Sequence, residues 1–426
     1  NLLMSEPMRL EMLLRLFSTS QFLADTMVRN PGFMDWVIIP EMLNRIRRKE
    51  EMEREFRKAA SVSRSHREWL NRLRRLRRRE ILRIGTRDIC LGVSTRDIML
   101  EISNLAEACI QVAIEVVFKN LKEEEEHGWA LDGLEDYFCI MALGKLGGDE
   151  LNYSSDIDLL GIWDDTAPMR GREPLHFYQE LYTLCMQRVR SDLSEHTEEG
   201  YAYRVDLRLR PFGRSGELVS TVRGLTKYYR EIASTWEIQA ALKMRPVAGN
   251  LKLGDDFVKT IRPVLLTQRR PRDIIRSVQK MRKKTVKVSA EGPASTIDVK
   301  TGLGGIRDIE FLVQGMQLIH GPNNPLLLEG NTLNALDILQ NNELLEEDLA
   351  EKLKSDYIFL RRVEHYLQIL EDRQNHALPS DPQQLAALAK RMLGPRATPE
   401  QFMELLKECL ARVHGAYQLK LLSGSA

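Results

Sequence analysis

The chain has 426 residues, 43% of them hydrophobic and 29% charged, which excludes a disordered or fibrous protein and calls for about two or three domains. Its 62 basic side chains face 61 acidic ones, so no global field gathers nucleic acid or an anionic membrane, and any polyanion contact has to be local. Five scattered cysteines (Cys90, Cys109, Cys139, Cys185, Cys409) support neither a disulfide framework nor a CxxC metal knuckle, and they point to a reducing cytoplasm. No apolar run reaches the roughly 18 residues of a membrane span, and the start lacks the apolar core and cleavage site of a signal peptide. A first residue of Asn1 predicts a piece of something longer.

Residues 8 to 120 read as helices, with a break at Asn30-Pro31-Gly32. In WLNRLRRLRRREILRI, Leu70, Leu73, Leu76, Ile81 and Ile84 share one helical face and arginines cover most of the rest. That pattern predicts an amphipathic helix whose solvated basic side pairs with nearby acids. A polyanion-binding helix is the rival, disfavoured because no aromatic residues interleave for base stacking. The acidic run Glu123 to Glu126 reads as a solvated loop or helix end rather than a metal site, and it marks a boundary between a helical region, 1–121, and a domain over 122–250.

From Tyr137 a short apolar run, YFCIMAL, predicts a buried strand ending at Gly144. A glycine-rich turn follows, then a strand at DIDLLGIW, a helix near PLHFYQELYTLCMQRVR, and a third strand at YAYRVDLRLRP. This is a mixed α/β unit. Beyond residue 250 helical periodicity returns, and 251–426 reads as a helical bundle that includes a long helix from Leu349 to Asn375, with Pro379 soon after to stop it.

A strand's two-residue period puts Asp156 and Asp158 on one face while Ile157 and Leu159 point into the core. Two converging carboxylates repel unless a cation sits between them, and Mg²⁺, which favours carboxylate and phosphate oxygens, suits that place. In the third strand Tyr203, Val205, Leu207 and Leu209 alternate with Arg204, Asp206, Arg208 and Arg210. Asp206 thereby completes a carboxylate triad, and its arginine neighbours suit phosphate oxygens. Two metals about 3.5–4 Å apart, held by three carboxylates, would serve in-line nucleotidyl transfer. Gly144, Gly147 and Gly148 let backbone approach a triphosphate, Lys145 adds a point charge, and Ser154 or Ser155 offers a hydroxyl. The alternatives to nucleotidyl transfer are a structural ion-pair network and a fold that has lost its activity.

Five ordered motifs carry a resemblance: GKLGGDELNYSSDIDL, RVDLRLRPFGRSGELV, WEIQAALKMRPVAGN, DVKTGLGGIRDIEF and FLRRVEHYLQILEDRQNHALP. Over most of its length the chain resembles the bifunctional adenylyltransferase/adenylyl-removing enzymes of glutamine synthetase. The resemblance implies an α+β fold with a polymerase-beta-type nucleotidyltransferase domain, flanked by N-terminal helices and a C-terminal helical bundle. Enzymes of the family carry two such units in tandem, and this chain shows one DxD unit. Its PFGRSG, KMRPVAGN and GGIRDIEF segments look more like the N-terminal, adenylyl-removing half.

By the same resemblance Asp156, Asp158 and Asp206 match the family's metal-binding carboxylates, Arg208 and Arg210 its phosphate contacts, and Lys243 and Arg245 residues that close the nucleotide site or answer a helix dipole. Lys300, Arg307, Asp308 and Glu310 fall in the matched segment that opens the next helix, where dipole stabilisation accounts for the acids without a catalytic task. His365 and His376 receive no role in the chemistry. The implied reaction uses Mg²⁺. Inorganic phosphate attacks the phosphorus of an AMP-tyrosine on glutamine synthetase and releases ADP, or in the adding direction the tyrosine attacks ATP. Two rivals stand beside it: a non-catalytic module that binds glutamine synthetase or a PII-type signal protein, and an RNA nucleotidyltransferase, which the near-neutral charge argues against. Neither nucleic acid nor membrane is an expected partner.

Overall fold

The computed structural model describes residues 7–124, 133–165, 175–290 and 297–423, which divide into two compact units. The first comprises 1–151, 155–233 and 243–264; the second comprises 152–154, 234–242 and 265–426. Among the described residues no helix is long and apolar enough to cross a membrane. Glu125 and Glu126 of the acidic run lie outside the described residues.

In the first unit the expected N-terminal helices form, including Pro7–Thr19, Gln21–Arg29, Lys49–Ser61, His66–Leu91 and Thr95–Glu124. Their ends follow from local chemistry. The Ser20 hydroxyl accepts the Leu23 N–H and the Ser65 hydroxyl the Glu68 N–H, and Gly92 closes the long helix in the left-handed conformation (φ 61°). The arginine-rich helix corrects one expectation. Arg72, Arg78, Arg79, Arg83 and Arg87 pair with acids as anticipated, but Arg74, Arg77, Arg83 and Arg87 are buried rather than solvated, and Arg75 remains exposed. Arg74 donates to the carbonyls of Asp192, Glu195 and Gly200, so it satisfies groups left open where the helix Leu175–Ser194 ends. Arg83 and Arg87 share the buried Glu101 carboxylate. Burial without loss of charge pairing is possible because the guanidinium fork meets two carboxylates at once.

The sheet of this unit is mixed and five-stranded: β1 (Phe138–Leu143), β2 (Ile157–Trp163), β3 (Val205–Asp206), β4 (Val219–Thr221) and β5 (Arg245–Gly249). Its order is β3-β2-β1-β5, with β4 pairing β2 further along. β1 runs antiparallel to β2 and to β5, whereas β3 and β4 run parallel to β2. All six residues of β1 are buried, as a continuous apolar run requires of a strand covered on both faces. Phe138 stacks on Tyr182 at 5.0 Å, and Tyr182 donates its hydroxyl to the Leu134 carbonyl at 2.8 Å. The third strand is shorter than its alternation suggests: only Val205 and Asp206 pair, before Arg210 folds the following loop back on itself. β5 begins Arg-Pro and ends in Gly, residues that mark edges rather than centres of sheets, and it is an edge strand.

The second unit is helical, with Pro271–Ala290, Ile306–His320, Thr332–Asn341, Glu347–Ile369, Pro382–Leu393 and Pro399–Tyr417 around a core that includes Leu312, Leu336, Leu360, Val363 and Leu406. The long helix ends at Ile369, well before the expected Asn375. Its stop is a turn in which Asp372 takes a positive φ of 51°, and Pro379 lies beyond it.

Candidate active site

Asp158 is the second residue of β2 and pairs in register with Leu143 of β1 on one side and Asp206 of β3 on the other. In-register residues of neighbouring strands project to the same face, so the two carboxylates share one face at one end of the sheet. Asp156 lies two residues back, and the Ile157 N–H donates to the Arg204 carbonyl at 3.0 Å, which continues the pairing and sets Arg204 beside Asp156. Ile157 and Leu159 are fully buried, as the period-two reading requires.

Each outer carboxylate is answered by a guanidinium. Arg204 Nε donates to Asp156 Oδ1 at 2.6 Å, and Arg204 also donates to the Tyr201 hydroxyl at 2.5 Å. Asp206 Oδ1 accepts the backbone N–H of Arg208 at 2.8 Å, and both its oxygens accept from the Arg208 side chain. Burial pushes the Asp206 carboxyl up, but these hydrogen bonds and the charges of Arg208 and Arg214 outweigh it and hold the group below the ordinary carboxylate range.

Gly144 follows β1 directly, at φ +58°, and the place its Cβ would take is filled by Oδ2 of Asp158. A side chain there would expel the carboxylate, so glycine is required both by the backbone and by the neighbour. Gly144–Gly147 forms one helical turn whose carbonyls accept the Gly148 N–H, and the Glu150 N–H donates to the Lys145 carbonyl at 2.8 Å. Lys145 and Ser155 are half-buried beside this turn and the aspartates in sequence.

Three other expected site residues are engaged within the scaffold. Lys243 donates to the buried Glu150 at 2.5 Å. Arg245 forks onto Glu107 and Asp149 and also donates to the carbonyls of Leu146 and Gly147, which braces the glycine turn against β5. Arg210 donates to the carbonyls of Leu207, Arg214 and Gly216, stapling the PFGRSG loop. In the second unit Asp308 is held by Arg282 at 2.6 and 2.7 Å, Arg307 pairs with Glu310, and Lys300 lies near Glu364 and His376. Arg204 and Tyr201 are contributors the sequence did not single out. The alternation already placed Arg204 on the face of Asp206, and the parallel register that brings it to Asp156 is a tertiary fact.

Among the described residues no three acidic, histidine or cysteine side chains are gathered as a ready metal cage. The donor set nonetheless suits a hard divalent cation, because Asp156, Asp158 and Asp206 offer carboxylate oxygens on one sheet end and the two guanidinium groups show that the place takes positive charge. Loading such an ion would exchange those ion pairs for metal bonds and free Arg204 and Arg208 for another anion.

A family model described as "Glutamate-ammonia ligase adenylyltransferase" matches residues 10–260, and one described as "GlnD PII-uridylyltransferase" matches residues 272–420. Curated relatives named bifunctional glutamine synthetase adenylyltransferase/adenylyl-removing enzyme are similar along most of the chain. One from Hahella chejuensis is 32% identical over 90% of this chain and 40% of its own length. One from Streptomyces avermitilis is 35% identical over 93% and 38%, and one from Xanthomonas campestris pv. campestris is 37% identical over 73% and 33%. The chain therefore spans well under half the length of these relatives.

Proposed function

Because the chain belongs to the glutamate-ammonia ligase adenylyltransferase family, we propose that it is a Mg²⁺-dependent nucleotidyltransferase unit that acts on glutamine synthetase, with the chemistry in the 122–250 domain. The observation that carries this reading is the in-register pair Asp158 and Asp206, with Asp156 two residues upstream of Asp158 and an arginine on each outer carboxylate.

The direction we favour is removal of AMP from a tyrosine. An oxygen of inorganic phosphate bonds to the phosphorus of AMP-tyrosine, the bond from phosphorus to the tyrosine oxygen breaks, and that oxygen takes a proton as ADP leaves. Asp156, Asp158 and Asp206 would hold Mg²⁺, which lowers the cost of bringing anionic phosphate to an anionic phosphodiester. Arg208, whose side chain is exposed, would meet phosphate oxygens bidentately. Gly144 keeps the Asp158 carboxylate in place, and Arg245 keeps the turn beside it rigid. Addition of AMP from ATP uses the same carboxylates in reverse, so direction rests on which nucleotide and which form of glutamine synthetase the surroundings accept.

The test is a two-armed incubation that follows the mass of the tyrosine. One arm holds Mg²⁺, phosphate and AMP-modified glutamine synthetase; the other holds Mg²⁺, ATP and the unmodified form. ADP release in the first arm alone is the expected result. Incorporation of AMP in the second arm alone reverses the direction, and silence in both removes the activity from this unit.

A further inference from the structure

Within the motif GKLGGDELNYSSDIDL, Asn152 and Tyr153 have no part in this chemistry, and Ser154, expected to offer phosphate a hydroxyl, is buried with that hydroxyl on the Asp372 carbonyl. Asn152, Tyr153 and Ser154 belong to the second unit, although the chain before them and the stretch Ser155–Ala233 after them belong to the first. All three are buried. Oδ1 of Asn152 accepts from the guanidinium of Arg361 and from Nε2 of His365, the latter at 3.1 Å. Arginine has donors only, so the oxygen of the amide has to face it and the amide's orientation is fixed. The Tyr153 ring meets His365 edge to face at 5.4 Å. The Ser154 N–H donates to Gln368 Oε1 at 3.2 Å, and the Ser154 hydroxyl donates to the Asp372 carbonyl at 3.1 Å, in the turn that ends the long helix.

The gripping residues 361, 365 and 368 recur at helical spacing on one face of Glu347–Ile369. Arg361 is itself fixed. It has no exposed surface, donates to the Tyr357 hydroxyl at 3.1 Å and lies 3.5 Å from Glu364, which in turn lies 3.2 Å from His376. Apolar side chains of similar volume would pack a helical bundle as well as a buried ionic cluster does, or better. They would not hold one amide oxygen and one backbone N–H in a set register.

We propose that Asn152 and Ser154 are positioning residues, clamped by Arg361, His365 and Gln368 so that the chain entering Ser155 and Asp156 starts from a fixed point. This rests on the carboxylate-metal reading above. Only two residue steps separate Ser154 from Asp156, at most roughly 7 Å of extended chain, so slack at the clamp passes to the aspartates. The motif FLRRVEHYLQILEDRQNHALP then acts on the chemistry through the backbone, without touching substrate.

The test compares the full chain with Asn152→Ala, His365→Leu and His365→Gln, the last of which keeps an N–H donor for the amide. Hydrogen exchange is read on the segment 155–160, with 138–143 as the internal control, and Mn²⁺ binding is titrated alongside. Asn152→Ala and His365→Leu are expected to exchange several-fold faster over 155–160 with the control segment unchanged. They should also weaken Mn²⁺ binding by roughly 10- to 100-fold, the usual effect of losing a residue that orients metal ligands, and His365→Gln should recover most of both losses. Native protection and native Mn²⁺ affinity in the first two variants overturn the clamp, as does a Gln variant no better than Leu. Faster exchange in a protein whose unaltered form binds no Mn²⁺ keeps the clamp and removes the metal reading. If Asn152→Ala does not fold, the two His365 variants decide the matter.

Discussion

Two arginine–carboxylate assemblies lie in the same unit and differ in what surrounds them. On the helix His66–Leu91, Arg83 donates to Glu80 at 2.9 Å and to Glu101 at 2.5 Å, Arg87 adds a second bond to Glu101, and Arg47 adds one to Glu80. The Arg83, Glu80 and Glu101 side chains have no exposed surface. At the sheet end, Arg208 and Arg204 hold Asp206 and Asp156 while their own side chains are 60% and 38% exposed. The first assembly is a closed network with every charge committed to protein. The second is open on the arginine side, and on the proposed function a metal would replace its guanidinium groups and the arginines would turn to phosphate. Charge pairing alone does not mark a site; the proposed one is distinguished by pairing that solvent can reach, beside carboxylates brought together by strand register.

Breaking each assembly separates the two roles. Arg83→Met leaves two buried carboxylates short of a partner and is expected to lower stability by about 3–5 kcal/mol in chemical denaturation. Arg208→Ala is expected to change stability by only about 0–1 kcal/mol, as for an exposed pair, yet to slow turnover by roughly 10²- to 10³-fold, as for loss of a donor to developing charge. If the two variants exchange these signatures, the open assembly is scaffold and the closed one deserves reassignment.

How far this contrast was legible in the sequence depends on range. Ile157 and Leu159 against Asp156 and Asp158 is a local pattern, and the strand obeys it. The run from Leu70 to Ile84 was legible as an amphipathic helix, but the burial of Arg83 and Arg87 was not. It depends on Glu101, which arrives from another helix. β4 and β5 escaped for a different reason: Val219–Thr221 has only three residues, and Arg245–Gly249 carries the Pro and Gly that normally argue against a strand. Lys243 and Arg245 matched a motif, yet their partners Glu150, Glu107 and Asp149 are fixed by tertiary packing. Early termination of the long helix likewise follows from Asp372, not from the more visible Pro379.

Smaller effects sharpen the same contrast. Gly144→Ala forces an L side chain into the left-handed region and onto the Asp158 carboxylate. A loss of about 1–2 kcal/mol is expected from the backbone, with a larger fall in activity, and parallel denaturation and turnover assays read both. The least effect concerns His66, which is bonded to Asp192 at 2.9 Å; that hydrogen bond raises the imidazole's pKa against the opposing pull of burial. A folded value above the unfolded value of about 6.5 means that the contribution is complete below that pH and is lost as pH rises through the folded value. Because the ring is partly exposed, the change is expected to stay under about 1 kcal/mol. Urea midpoints across that range should show it in the unaltered chain and not in His66→Asn.

The most direct measurement is made on the double variant Asp156→Asn and Asp158→Asn in the same two arms used for direction, with its melting temperature recorded alongside. Abolished ADP release, with the AMP-adding arm silent as before, in a protein that still melts cooperatively is the expected result. Turnover at the unaltered rate would contradict a carboxylate-metal centre on β2.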